Sequence, residues 1–410
     1  MTATTTSSSP ATGIESPTVD TPLDVWIDWF WSSLLPNWID RAHNPRQFGF
    51  YDVLDSRGHP VSPDRRTLLA QARLLFVFSL LALHSEHPAY HRAARLARDA
   101  VRTFRRAPGQ YCFARASDGR PTGNPSDLRA RSYDLSFVIL GLSTWGKLHI
   151  GEDVEELEAC WQMLDTRLTD PSNGLLLEHD NLESPSDADA PPRAQNPHMH
   201  NYEAALQAFE MTGERIWLER AKKMRTRGLD YFFDETSGTI REFIAPDLTL
   251  LPGRDGQYRE IGHQFEWAWL LMREAELSGV GSTLAIADRL LAFADRHGVA
   301  QSGPMQGAAF DAVSVDLDWR EKRYLLWPQT EALKVHAVRA HLDDHGDRAK
   351  DTARLMFVKY FSGQTFFINQ IDDQGAVIWS EALSRLHYHT VLALFEGARA
   401  GLWAGPKIKK

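Results

Sequence analysis

The chain has 410 residues, 43% hydrophobic and 24% charged, the composition of an ordinary globular protein. Its net charge is −9 with no basic block, which argues against a nucleic-acid partner. The two cysteines, Cys112 and Cys160, form no C-x-x-C pair, so neither a disulfide framework nor a zinc ribbon is expected.

Residues 1–20, rich in Ser, Thr and Pro, lack the basic start and apolar run of a signal peptide and read as a disordered tail. No apolar run reaches the roughly 18 residues a membrane span needs, so no membrane association is expected and the cytoplasm is the expected compartment. Residues 21–410 are then one catalytic domain. From Asp24, VWIDWFWSSLLPNWI reads as an apolar-faced helix kinked or broken at Pro36. After the loop FGFYDVLDSRGHPVS come helices over 64–83 and 90–104 and a second loop, GQYCFARASDGRPTG. The order repeats with helices over 131–148 and 152–168, then 198–211 and 215–231, then two further rounds, and ends on a helix over 387–402.

Loop glycines mark the period. Gly49, Gly109, Gly174, Gly238, Gly303 and Gly363 recur every 60–65 residues. Six loops and twelve helices, with no polar capping repeat, fit a closed ring of six helical hairpins. The expected fold is therefore all-α, an (α/α)6 barrel with short β-rich loops at one end.

In such a ring the first helix after each loop is an inner one. Polar or aromatic residues fall into near register on these helices: Arg73, Tyr133, His200, His263, Gln329 with Glu331, and His389. They converge on one cavity, towards which the positive ends of the helix dipoles also point. His200 and Glu203, like His263 and Glu266, lie three apart on one helical face, where a carboxylate can orient an imidazole and raise its basicity. Buried pairs of this kind can be packing hydrogen bonds only, but three imidazoles in one register exceed what packing requires. His198 and His387 lie two residues away from the register and read as structural.

Other chemistries lack their signatures. There is no G-x-G-x-x-G, no G-x-x-x-x-G-K-[ST], no H-E-x-x-H and no G-x-S-x-G, so no cofactor and no metal is expected. A glycoside hydrolase would need two carboxylates about 5–10 Å apart, for which Glu266 and Glu331 are the candidates. A non-catalytic sugar-binding protein would not need imidazoles in one register.

The stretches FGFYDVLDSRGHP, QARLLFVFS, YDLSFVILGLS, NPHMHNYEAALQAFEMTGE, GHQFEWAWLL, LWPQTEALK and YHTVLAL resemble the N-acylglucosamine 2-epimerase superfamily of sugar epimerases and aldose–ketose isomerases, over about residues 24–400. The resemblance implies an (α/α)6 barrel and metal-independent proton transfer at C1 and C2 of a sugar. It implies that His263 and His389 are the acid/base pair, and that Arg73, His200, Glu266 and Trp327 hold substrate or tune the pair. Tyr133, Asn196, Glu203, Gln329 and Glu331 complete the candidate substrate-binding set. Phe76 stands where some isomerase members carry a His, three residues after the Arg. The expected reaction is interconversion of a free aldose and ketose, D-mannose to D-fructose, through a cis-enediol; the alternative is a 2-epimerase of mannose/glucose or of N-acylglucosamine. An unphosphorylated monosaccharide is expected because the inner register holds no Lys/Arg cluster. Homo-oligomerisation is left open.

Overall fold

The computed structural model describes residues 16–182, 185–187 and 189–406. Helix α1 (Leu23–Trp29) runs through a π-helical turn (Phe30–Leu34) into α2 (Leu35–Arg41). The chain does not break at Pro36: the wider turn just ahead of the proline accommodates its missing N–H and its ring within a continuing helix. Then come α3 (Leu68–His84) and α4 (Pro88–Thr103), α5 (Ser132–Leu148) and α6 (Val154–Arg167), and α7 (Asn196–Thr212) and α8 (Arg215–Phe232). The short α9 (Gly253–Gln257) precedes α10 (Ile261–Ser278) and α11 (Leu284–His297), followed by α12 (Leu326–Val338), α13 (His345–Met356) and α14 (His387–Arg399).

Helices α3, α5, α7, α10, α12 and α14 pack successively on one another, and α14 packs back on α3, closing the inner ring of an (α/α)6 barrel. Their sequences explain the position. The α3 stretch LLAQARLLFVFSLLALH is apolar around its whole circumference, as a helix covered on all sides must be. Outer α4 is two-faced: Ala89, Ala93, Ala94, Ala97 and Ala100 are buried, and their small side chains let it lie close to the ring.

The loops entering the inner helices are zipped into a collar by short antiparallel ladders. Residues 65–67 pair with 114–116, 193–194 with 243–244, 258–260 with 312–314 and 323–325 with 370–372. Val53 and Leu54 pair with Leu383 and Ala382, joining the first loop to the last, and a single bridge, Arg131 to His179, links the second and third. The periodic glycines all adopt positive φ. At Gly109, with φ 69°, a Cβ would also stand 2.1 Å from the Ala159 carbonyl oxygen, so only glycine fits.

Repeated clamps tie inner helices to the preceding loops. Gln71 bonds both N–H and C=O of Phe50, Gln264 those of Ile240, and Gln329 those of Ala309, at 2.7–3.0 Å. His198 does related work, accepting from Leu176 N–H at 2.9 Å. His387 is buried between Trp38 and Phe367, without a hydrogen bond from either ring nitrogen. Residues 1–15 of the expected tail lie outside the described residues. Ser16 accepts a hydrogen bond from Gly363 N–H, and Thr18 and Thr21 close a turn. Among the described residues no helix is long and apolar enough to cross a membrane.

Candidate active site

A cavity of about 640 Å³ opens inside the collar, at the N-terminal ends of the inner helices. Arg73, Tyr133, Asn196, His200, His263, Glu266, Trp327 and His389 all line it. Glu203, Gln329 and Glu331 do not. Gln329 occupies the clamp position that Gln71 and Gln264 hold on their helices, and its amide is fully engaged with backbone: besides Ala309 it donates to the Leu325 carbonyl at 2.9 Å. Glu203 and Glu331 stand behind His200 and His389, with hydrogen bonds to their Nδ1 atoms of 3.0 and 2.8 Å.

Trp327 sits between the two principal histidines, with ring centroids 5.0 Å from His263 and 5.7 Å from His389. Gly262 makes room for it: a Cβ there would meet the indole at 2.2 Å.

His263, at the start of α10, donates Nδ1–H to Glu242 at 2.7 Å, with Glu260 at 3.2 Å. Burial alone would lower its pKa, but these two carboxylates outweigh it and raise the imidazole to about 10. Glu242 is itself fixed by Gln195 Nε2 at 3.0 Å and Glu260 N–H at 3.2 Å. The expected orienting partner, Glu266, is not hydrogen-bonded to His263. Both its carboxylate oxygens are buried without a hydrogen bond, and burial together with nearby Glu331 pushes it up to about 8. The three-residue spacing puts His263 and Glu266 on one face, but their side chains diverge, one to the loop carboxylates and one to the axis.

His389 has the opposite surroundings. Arg73 Nη1 lies 3.3 Å from its Nε2. A guanidinium can only donate, so Nε2 carries a lone pair and Nδ1–H is donated to Glu331. Burial, Arg73 and Lys334 hold this imidazole well below 6.5. Arg73 also donates to Tyr133 Oη at 2.9 Å, and its guanidinium lies over the rings of Phe137 and Tyr388, 4.1 and 4.7 Å from their centroids. His200 is pushed down to about 4 by burial, against the pull of Glu203, whose other oxygen accepts from Tyr388 Oη at 2.5 Å.

Among the described residues, three groups hold donor atoms within 4.8 Å of one another: His200, Glu203 and Glu266; Glu242, Glu260 and His263; and Glu266, Glu331 and His389. Each contains a histidine already hydrogen-bonded to a carboxylate, and the last has the Lys334 ammonium 2.6 Å from Glu331. That neighbour suits proton transfer better than a dication.

Sequence reasoning missed Glu242, Lys334, Arg131 and Arg385. Lys334 had a signal: the one lysine of the inner helix LWPQTEALKVHAV, three residues after Glu331. The others come from collar segments whose approach depends on strand pairing. Arg131 and Arg385 line the cavity with Arg73. The arginine cluster absent from the inner register is therefore assembled by the loops.

The N-acylglucosamine 2-epimerase family model matches residues 49–394. A Rhizobium meliloti (strain 1021) protein named mannose-6-phosphate isomerase is 28% identical over 90% of this chain and 94% of its own length. A Thermobifida fusca D-mannose isomerase is 28% identical over 53% of this chain and 55% of that protein. Among solved structures, the cellobiose 2-epimerase of Bacillus thermoamylovorans B4167 superposes with a TM-score of 0.77 at 15% identity, covering 92% of this chain and 99% of that one. A D-mannose isomerase structure gives 0.76 at 20% identity, covering 90% and 98%. The chain belongs to the N-acylglucosamine 2-epimerase family. It is an enzyme of the sugar isomerase and epimerase class.

Proposed function

We propose that the enzyme interconverts an aldose and its ketose, D-mannose and D-fructose, by histidine acid/base catalysis through a cis-enediol. The observation that carries this reading is the opposite charge environment of the two imidazoles beside Trp327. His389, with a cavity-side lone pair on Nε2, takes the C2 proton while His263, as imidazolium, protonates O1. His263 then takes the O2 proton as His389 returns its own to C1, so each histidine ends the turnover as it began. Arg73 is placed to stabilise the enediolate oxygens, while His200, neutral with its Nδ1–H given to Glu203, offers its Nε2 lone pair to a sugar hydroxyl. No step in this scheme calls for a metal, and activity is expected to persist in EDTA.

Epimerisation at C2 would need His263 to deliver its proton to the opposite face of carbon. That leaves His389 cationic and His263 neutral, the reverse of what Arg73 and Lys334 on one side, and Glu242 and Glu260 on the other, favour. The hydrolase alternative loses its second carboxylate, because Glu331 is held by His389 and Lys334 away from the cavity. NMR of the purified protein with D-mannose in D₂O tests the reading. Fructose appearing first, with deuterium at C1, supports it; glucose appearing first would leave the epimerase standing.

Arg131 and Arg385 support a second reading of the substrate. They could hold an anionic group on C6, in keeping with the name of the Rhizobium relative. Competition between free mannose and mannose 6-phosphate decides between the two: a kcat/KM at least about tenfold higher for the phosphate ester would displace the free sugar.

A further inference from the structure

Lys334 lies on α12, one turn beyond Glu331, with its side chain wholly buried. Its ammonium is 2.6 Å from Glu331 Oε2 and 4.0 Å from Glu266 Oε1, and stands 3.8 Å over the Trp269 ring. An unpaired ammonium in such a place would be strongly unfavourable, so the position is built around its carboxylate partners. The partner that matters most is Glu331. One of its oxygens meets Lys334 and the other accepts Nδ1–H of His389 at 2.8 Å.

We propose that Lys334 is a positioning residue for the reaction: through Glu331 it fixes His389 in the tautomer whose Nε2 lone pair faces the cavity. The inference rests on the acid/base role given above to His389. Glu331 is fully buried, and burial alone drives a carboxylate towards its neutral form. Once protonated, Glu331 could donate O–H to Nδ1; the imidazole proton would then reside on Nε2, against Arg73, and no lone pair would remain for carbon acid chemistry. Lys334 is the cation in contact with Glu331 that opposes this. The other charged or titratable groups around His389 are Arg73 from α3, His200 and Glu203 from α7, Glu266 from α10, and Tyr388 beside it on α14. Among the described residues none of these makes an ion pair or hydrogen bond with Glu331, so none substitutes for Lys334 at its second oxygen.

The test is NMR of imidazole nitrogens in full-length protein, with the His389 signals assigned by their loss in His389→Gln. Wild type is expected to show one tautomer, protonated on Nδ1. Lys334→Met, which keeps the apolar stem and removes the charge, is expected to give a tautomer mixture and at least about a tenfold fall in kcat, with KM changed by less than about threefold. Should that variant fail to fold, the double variant Glu331→Gln/Lys334→Met removes both charges together and carries the same expectation. A folded variant that keeps the single Nδ1–H tautomer, or turns over as fast as wild type, overturns the proposal. A wild-type protein that neither converts mannose nor exchanges deuterium counts against the isomerase reading instead, and the tautomer measurement still judges the link from Lys334 to His389.

Discussion

The two walls of the cavity carry the same side chain in opposite electrostatic settings. His263 leans on Glu242, a collar residue, and Glu260, at the entrance to its own helix; His389 leans on Arg73 and on the Glu331–Lys334 pair, which come from inner helices. One imidazole is held cationic and the other neutral. Splitting two like groups in this way is how a site obtains an acid and a base at one pH. The difference also shows that the division of labour lies in the partners and not in the histidines themselves.

The largest expected effects come from removing either imidazole. His389→Ala and His263→Ala should each reduce kcat by about 10²–10⁴-fold in a folded protein, checked by coupled assay and circular dichroism. If only one of them matters, the two-wall comparison fails. Glu242→Gln should be milder and of a different kind. It removes the closer carboxylate from His263, so the alkaline limb of kcat/KM should move down from near pH 10 towards 6.5. Glu266→Gln, by contrast, should move that limb less, because Glu266 has no hydrogen bond to His263 and raises it only by its charge, after Glu242 and Glu260.

Stability should respond to pH with opposite signs on the two walls. The folded pKa of His263 lies above its unfolded value, so its contribution is complete below about 6.5 and is lost as pH rises through about 10. His200 is lowered to about 4, so its contribution is complete above about 6.5 and lost as pH falls towards 4; buried His198 and His387, both near 3, act in the same direction. Asp52 and Asp134, raised to about 6, and Glu260 and Glu266, raised to about 8, act in the opposite direction, so the check is a difference. In denaturant titrations between pH 4 and 7, His200→Gln should lose less stability with acid than wild type, and equal slopes would contradict the neutral assignment. The smallest catalytic effect belongs to Gln329→Leu. It should cost about 1–3 kcal/mol of stability by orphaning the Ala309 backbone, while KM for mannose stays within about twofold of wild type; a large rise in KM would return Gln329 to the substrate.

The sequence by itself determined the barrel. A glycine that must adopt positive φ once per repeat, and inner helices that carry apolar residues on every face, are local properties that repetition makes legible. It also determined which side chains ring the axis, because helical spacing fixes direction to within a turn. It blurred the exact station: Gln329 shares the inner helix with cavity-lining Trp327 yet points outward to its loop, a difference of two residues that periodicity alone does not resolve. Only the tertiary structure decided what each histidine touches. Glu242 lies 21 residues before His263, and Arg73 lies 316 residues before His389; both contacts exist because the ring closes and the loops pair across it. Charge state follows from those contacts and from burial, neither of which is a property of local sequence, so the assignment of acid and base could be read only after the chain had folded.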